Sequence, residues 1–224
     1  MCLEQNIKGL CERYGLDFQE FLKEFDLEHV HEMSIHDLEI LAEEYELDVE
    51  ALLFRPIFGV GHLKKKLQSL KLLILDVDGV MTDGGMYYTE QGDQFKKFNT
   101  KDGMGIFQMK EAGLEIGIIS SGFVGEAIRK RAEILGIEKC YIGRDKKRAV
   151  LEKWMEEDGL SWSEIGIIGD DINDLPVMEE AGFSACPSDA VAEVKSRVDL
   201  ILQKKGGQGC IREFVSNYYL VEKR

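Results

Sequence analysis

Short apolar runs of β type, separated by stretches of helical period, constrain most of what this 224-residue chain can fold into. The runs fall at residues 72–75, 115–119, 140–142, 165–168, 183–185 and 198–202. Helical spacing covers 105–111, 124–135, 147–157, 175–180 and 190–194 between them. Such alternation predicts an α/β fold: a doubly wound, Rossmann-like parallel sheet with helices on both faces and ligands at the carboxyl ends of the strands. One stretch breaks the pattern. Residues 86–98 carry Gln91-Gly92-Asp93 between two β-rich flanks and read as a hairpin flap projecting just past the first strand.

The first 61 residues are of another kind. Apolar side chains recur at three-to-four spacing in Phe18, Phe21, Leu22, Phe25 and in Leu38, Leu41, Ala42, Tyr45, and Ser34 with Asp37 makes a capping box. Three or four short helices are expected, a small all-α segment. Arg55-Pro56 ends them, residues 62–70 read as a linker, and the main domain runs over 71–224. Fifteen acidic residues here face only Lys8, Arg13, Lys23 and Arg55, so most of the chain's net charge of −14 sits in this appendage. That is the wrong sign for nucleic acid, and docking a partner protein fits residues 1–61 better.

Other classes fall away on composition. No apolar run approaches the roughly 20 residues that span a bilayer, and the start MCLEQNIKGLCERYG lacks the pattern of a signal peptide, which places the protein in the cytoplasm. Five scattered cysteines without a CxxC pair read as buried free thiols. All four histidines lie at or before His62, which excludes a histidine triad or zinc-histidine site built within the remaining residues.

Residues 72–75 are apolar throughout, and the chain then sets Asp76 and Asp78 at their carboxyl end, with Gly79 allowing the turn away. Two carboxylates there are costly unless a cation joins them, and an oxygen-rich Mg2+ site is the usual solution. A surface turn with two aspartates is the competing reading; a calcium loop fits poorly, because Met81 stands where such a loop needs glycine. Residues 165–168 run likewise into Gly169-Asp170-Asp171-Ile172-Asn173-Asp174. A capping turn accounts for that cluster alone, but not for two acidic strand ends on one sheet edge. Residues 115–119 lead into Ser120-Ser121-Gly122, a hydroxyl and backbone N–H groups ahead of a helix, suited to phosphate oxygens. Residues 140–142 lead into Gly143-Arg144-Asp145-Lys146-Lys147, the local positive charge that an anionic substrate needs in so acidic a chain.

Taken in order, DVDGV, an apolar run ending in Ser, Lys and GDxxxD resemble the four motifs of the haloacid dehalogenase superfamily from about Lys71 onward. The resemblance implies a phosphatase in which Asp76 attacks phosphorus to give an aspartyl-phosphate, while Asp78 protonates the leaving oxygen and later activates water. It implies Mg2+ held by the Asp76 carboxylate, the Asp78 main-chain carbonyl and Asp170, with Asp174 and Asp171 positioning the metal's waters. Lys147, better placed than Lys146 relative to Gly143, would neutralise the phosphoryl oxygens and tie down Asp76. Ser121 matches the superfamily's Ser-Gly and Ser120 the Ser-Gly-Gly-Phe of phosphoserine phosphatases; either would bond the transferring group, beside Gly122.

The stretch from Asp78 to Ser120 is filled by the hairpin and one helix, leaving no room for a cap domain, and the interval before GDD is as short. The likeness narrows to the 3-deoxy-D-manno-octulosonate 8-phosphate (KDO 8-phosphate) phosphatase family. It rests on DVDGVMTDGG, Lys97-Phe98-Asn99-Thr100-Lys101-Asp102-Gly103-Met104-Gly105, GDDINDLPVM, and Gly206-Gly207-Gln208-Gly209-Cys210-Ile211-Arg212-Glu213. This implies a homotetramer whose hairpins build a central barrel, with a neighbouring subunit supplying the lid. It also implies Lys101 and Asp102 facing the sugar acid, Arg212 near a substrate or subunit boundary, and Thr82 and Asp83 at the entrance. Eight-carbon members carry arginine in place of Lys101, and the 2-keto-3-deoxynononate 9-phosphate phosphatases share Phe98-Asn99-Thr100 and Gly84-Gly85-Met86. A sugar-acid phosphate of eight or nine carbons therefore stays open, as does a regulatory protein using the core as a scaffold for its N-terminal helices.

Overall fold

The computed structural model describes residues 3–54, 61–90, 94–121 and 125–220. The chain divides into two units, Met1–Lys64 and Lys65–Arg224. In the first, Leu3–Tyr14 (α1), Phe18–Glu24 (α2), Ile35–Glu44 (α3) and Val49–Phe54 (α4) are joined by short turns. Asp17 starts α2 by accepting the N–H groups of Gln19 and Glu20 at 2.9 Å, and the Ser34–Asp37 capping box starts α3. The apolar faces close on a core that includes Ile7, Leu10, Phe21, Leu22, Leu41 and Leu52. Buried Asn6 donates to the Leu52 carbonyl at 2.8 Å, which joins α1 to α4 without an orphaned amide.

The stretch 62–70, expected as a linker, is helical over Gly61–Ser69 (α5). Leu67 and Leu70 lie almost a turn apart and are both buried, and Lys66 pairs with Asp199 at 2.6 Å. The run of lysines masked this amphipathic pattern.

The second unit continues with Leu72–Leu75 (β1), a hairpin of Tyr87–Tyr88 (β2) and Gln94–Phe95 (β3), Thr100–Glu111 (α6), Glu115–Ser120 (β4) and Glu126–Leu135 (α7). Then come Lys139–Ile142 (β5), Lys147–Asp158 (α8), Ile165–Ile168 (β6), Leu175–Met178 (α9), Phe183–Cys186 (β7), Ala192–Lys195 (α10), Leu200–Ile201 (β8) and Cys210–Phe214 (α11). Apart from the hairpin, the strands form one parallel sheet in the order β5-β4-β1-β6-β7-β8. This is the doubly wound arrangement, in which the strand order reverses between β1 and β6 and opens a crevice at their carboxyl ends. Leu72 and Ile74 share a core with Val150, Leu151 and Met155 of α8 and Leu175 and Met178 of α9. Strand alternation turns Leu73 and Leu75, equally buried, to the opposite face.

The hairpin stands where the sequence placed it, although its turn, Gln91 to Asp93, lies outside the described residues. The sixth helix starts earlier than its apolar period suggests, because the Asn99 side chain caps it by accepting the Lys101 N–H at 2.9 Å. Among the described residues, only the loop after β1, the hairpin and α6 lie between β1 and β4, and only α8 and a 3-10 turn lie between β5 and β6. Neither position holds a cap domain.

Candidate active site

Asp76 leaves β1 at the point where the strand order reverses, and its N–H bonds the Ile168 carbonyl of β6 at 3.0 Å. Its carboxylate is buried and ion-paired with Lys147, the first residue of α8, which is itself buried. Lys147 also pairs with Asp174 at 2.5 Å. Asp174, buried at the start of α9, receives the Asp170 N–H at 3.3 Å, which folds the GDDIND turn back over the end of β6. Asp76, Asp170 and Asp174 each present an oxygen within 4.8 Å of one another.

The electrostatics of this group are those of a site short of positive charge. Burial pushes Asp170 up to about 8, reinforced by Asp76, Asp174 and Asp171. Burial likewise raises Asp76, with Lys147 pulling down against it and Asp174 pushing further up. On Lys147 burial opposes the charge, yet Asp76 and Asp174 hold it protonated above the ordinary lysine value. One ammonium among three crowded carboxylates leaves room for a hard divalent cation with oxygen ligands, so these residues fit Mg2+.

The loop after Asp76 is shaped by glycine. Gly79 has φ +95°, and a Cβ there would stand 2.0 Å from Oδ2 of Asp170. Gly206 presses on the other side, where a Cβ would meet the Gly79 carbonyl at 1.9 Å. The Gly207 N–H bonds the Val80 carbonyl at 2.9 Å, and the Asn99 amide reaches the Gly207 carbonyl at 3.2 Å. The Gly-Gly-Gln-Gly motif thus buttresses the acidic loop from behind.

Asp78 projects its carboxylate to Lys96, just after β3 in the hairpin, and stands outside the three-carboxylate group. Sequence reasoning missed Lys96. Its signal was strand alternation, with Phe95 outward and Lys96 inward. Thr82, expected at the entrance, is instead buried: its hydroxyl donates to the Val77 carbonyl at 3.2 Å, locking the loop. Asp83 is exposed and pairs with Lys97 at 3.3 Å.

Ser120 ends β4 buried and Ser121 is exposed, while Gly122 lies outside the described residues. Asp171 is exposed and accepts the Ile172 N–H at 2.7 Å, so its carboxylate is not part of the cluster around Asp76. Lys101 is exposed on the first turn of α6. Asp102, expected to face the sugar acid, is turned into the protein. It is buried and accepts the N–H groups of Gly209 at 3.2 Å and Arg212 at 2.8 Å, capping α11 against α6. The Arg212 side chain donates through Nε to Ser216 at 2.8 Å.

A parallel sheet with an acidic crevice bridged by a buried lysine places the chain among phosphatases of the haloacid dehalogenase type, and a family model described as haloacid dehalogenase-like hydrolase matches residues 136–213. The chain is 35% identical over 151 residues to the 3-deoxy-D-manno-octulosonate 8-phosphate phosphatase of Haemophilus influenzae, covering 67% of this chain and 83% of that one. The crystal structure of the enzyme of the same name from Yersinia pestis superposes with a TM-score of 0.71 at 30% identity, over 75% of this chain and 90% of that one. The Moraxella catarrhalis enzyme, solved with a magnesium ion, a phosphate ion and a KDO molecule, gives 0.69 at 31% identity over 74% and 92%. The chain belongs to the family of the 3-deoxy-D-manno-octulosonate 8-phosphate phosphatases.

Proposed function

We propose that the protein is a Mg2+-dependent phosphomonoesterase that hydrolyses a 3-deoxy-2-ulosonic acid phosphate, KDO 8-phosphate, through an aspartyl-phosphate. The observation that carries this reading is the buried Asp76 held by Lys147 beside Asp170 and Asp174. Family membership supports the substrate class.

In this mechanism an Asp76 oxygen attacks phosphorus, and an Asp76 O–P bond forms as the P–O bond to the sugar breaks. Asp78 gives its proton to the departing oxygen. It then takes a proton from the water that attacks the aspartyl-phosphate, which releases phosphate and restores Asp76. Lys147, fixed between Asp76 and Asp174, keeps the nucleophile in place and meets the phosphoryl charge. Ser120 or Ser121 would hydrogen-bond the phosphoryl group. The metal would be held by the carboxylates of Asp76 and Asp170 and the Asp78 main-chain carbonyl, with Asp174 behind them. When bound, Mg2+ would offset the charge of two approaching anions.

Lys101, standing where eight-carbon members carry arginine, supports a second reading, a nine-carbon acid 9-phosphate; it would meet the substrate carboxylate as a point charge. For assembly, Met86, Tyr87, Tyr88 and Phe95 are all exposed on or beside a ladder that joins no other strand among the described residues. Such a patch suits a homotetramer interface, with a neighbour completing the lid. The acidic helical unit would serve a protein partner. No described helix is long and apolar enough to cross a membrane, and we assign the enzyme to the cytoplasm.

The test is an assay of the full chain with Mg2+ over sugar phosphates of six to nine carbons. The expected result is preferential release of phosphate from KDO 8-phosphate, lowered about 10³-fold or more in Asp76→Asn. Undiminished turnover in that variant overturns the mechanism; preference for a nine-carbon ester selects the second reading. A protein that hydrolyses none of them leaves the scaffold role.

A further inference from the structure

The Lys96 side chain is only 2% exposed, although it belongs to a hairpin whose outer face is open to solvent. A buried ammonium is costly unless it is paired, and here its partner is Oδ1 of Asp78. The next residue, Lys97, reaches Asp83 on the same loop. A ladder of Tyr87 with Phe95 and Tyr88 with Gln94 is too short to hold itself, so these two ion pairs fasten the hairpin to the loop that carries the reacting groups. Only the first has its lysine side chain buried, and it ends on the residue that exchanges protons in the proposed mechanism.

From this geometry we infer that Lys96 is a positioning residue for Asp78, an inference that rests on the acid/base reading of Asp78. The ammonium occupies Oδ1 and fixes the plane of the carboxyl group, so that Oδ2 alone is turned to the reacting oxygen. The same contact keeps the side chain from swinging onto a cation held by Asp76 and Asp170. The hairpin therefore sets the acid in place as well as covering it.

The leaving group provides the readout, because a poor one needs a proton and a good one does not. For Lys96→Met, kcat/KM on a primary alkyl ester, KDO 8-phosphate, is expected to fall about 10²-fold, and on p-nitrophenyl phosphate no more than about threefold. Lys96→Arg, which keeps a cationic donor, is expected to recover most of the alkyl activity. Equal losses on both esters, or no loss, overturn the inference, since a merely structural role lowers both alike. Asp78→Asn run beside it separates the two levels. If Asp78→Asn splits the esters and Lys96→Met does not, Lys96 has no positioning role; if Asp78→Asn does not split them, the acid/base reading of Asp78 itself falls. Should Lys96→Met fail to fold, Lys96→Gln is read in its place by the same criterion.

Discussion

Gly79 and Asp170 meet so closely that a single methyl group on the glycine would overlap the carboxylate, 2.0 Å from Oδ2. Gly79→Ala is therefore expected to displace Asp170 and to strain a backbone at φ +95°, which costs about 1–2 kcal/mol for a residue with a Cβ. Phosphatase activity should fall about 10²-fold, with a higher Mg2+ requirement. A Mg2+ titration of the initial rate checks this, and an unchanged half-saturating concentration would remove Asp170 from the cation's ligands.

Among the described residues, Lys147 is the one cation bonded to both Asp76 and Asp174. Lys147→Met leaves crowded carboxylates uncompensated, a loss of roughly 3–5 kcal/mol for a buried pair broken on one side. Thermal melts in EDTA and in MgCl2 should show Mg2+ raising the Tm of this variant more than that of the parent protein. The same variant should lose phosphatase activity by about 10²-fold or more.

Asp102 makes a different kind of contact from the one its sequence position suggests. Asp102→Asn keeps an acceptor for one of the two N–H groups at the start of α11, so unfolding free energy should drop by roughly 1–3 kcal/mol. The KM for the sugar-acid ester should stay within about twofold, because the carboxylate is turned into the protein. A tenfold rise in KM with stability intact would return Asp102 to the substrate.

Glu164 pairs with Lys71 and closes on the Ser161 N–H and hydroxyl, which hold its carboxyl down at about 2. A carboxyl depressed by folding stabilises the native state above its unfolded value near 4.5, and that contribution is lost as pH falls toward 2. Glu164→Gln should accordingly be less stable than the parent at pH 7, with the gap closing between those two values. Denaturant midpoints measured at pH 7 and at pH 3 decide it.

Much of this was legible because the local signals agreed with the global fold. The bounds of β1 and β6 follow from their apolar runs, each stopped by glycine or aspartate that no buried strand would continue into. Strand ends sharing one edge brought Asp76, Asp170 and the basic run after residue 142 together, and the family resemblance singled out Lys147. What escaped were contacts made across the fold. Asp102, expected at the sugar acid, is taken instead by α11, which arrives from more than a hundred residues away. Lys96 reads as a solvated charge in a hairpin until the loop beneath it is in place. Asp171 looks equivalent to Asp170 in the string GDDIND, but consecutive residues of a turn face apart. The 62–70 helix was hidden by charge, its apolar side reduced to leucines between lysines.

Leu75 pairs with Ile168, and the Asp76 N–H completes that ladder on the Ile168 carbonyl. Asp76 and the turn that carries Asp170 are therefore set apart by the pitch of a β-sheet, about 4.8 Å between strands. Changing that gap would disturb the backbone hydrogen bonds along both strands. The spacing of these two acidic strand ends is inherited with the architecture. Drift in the hairpin or the N-terminal helices can change which ester is hydrolysed and what docks nearby while leaving that spacing where it was.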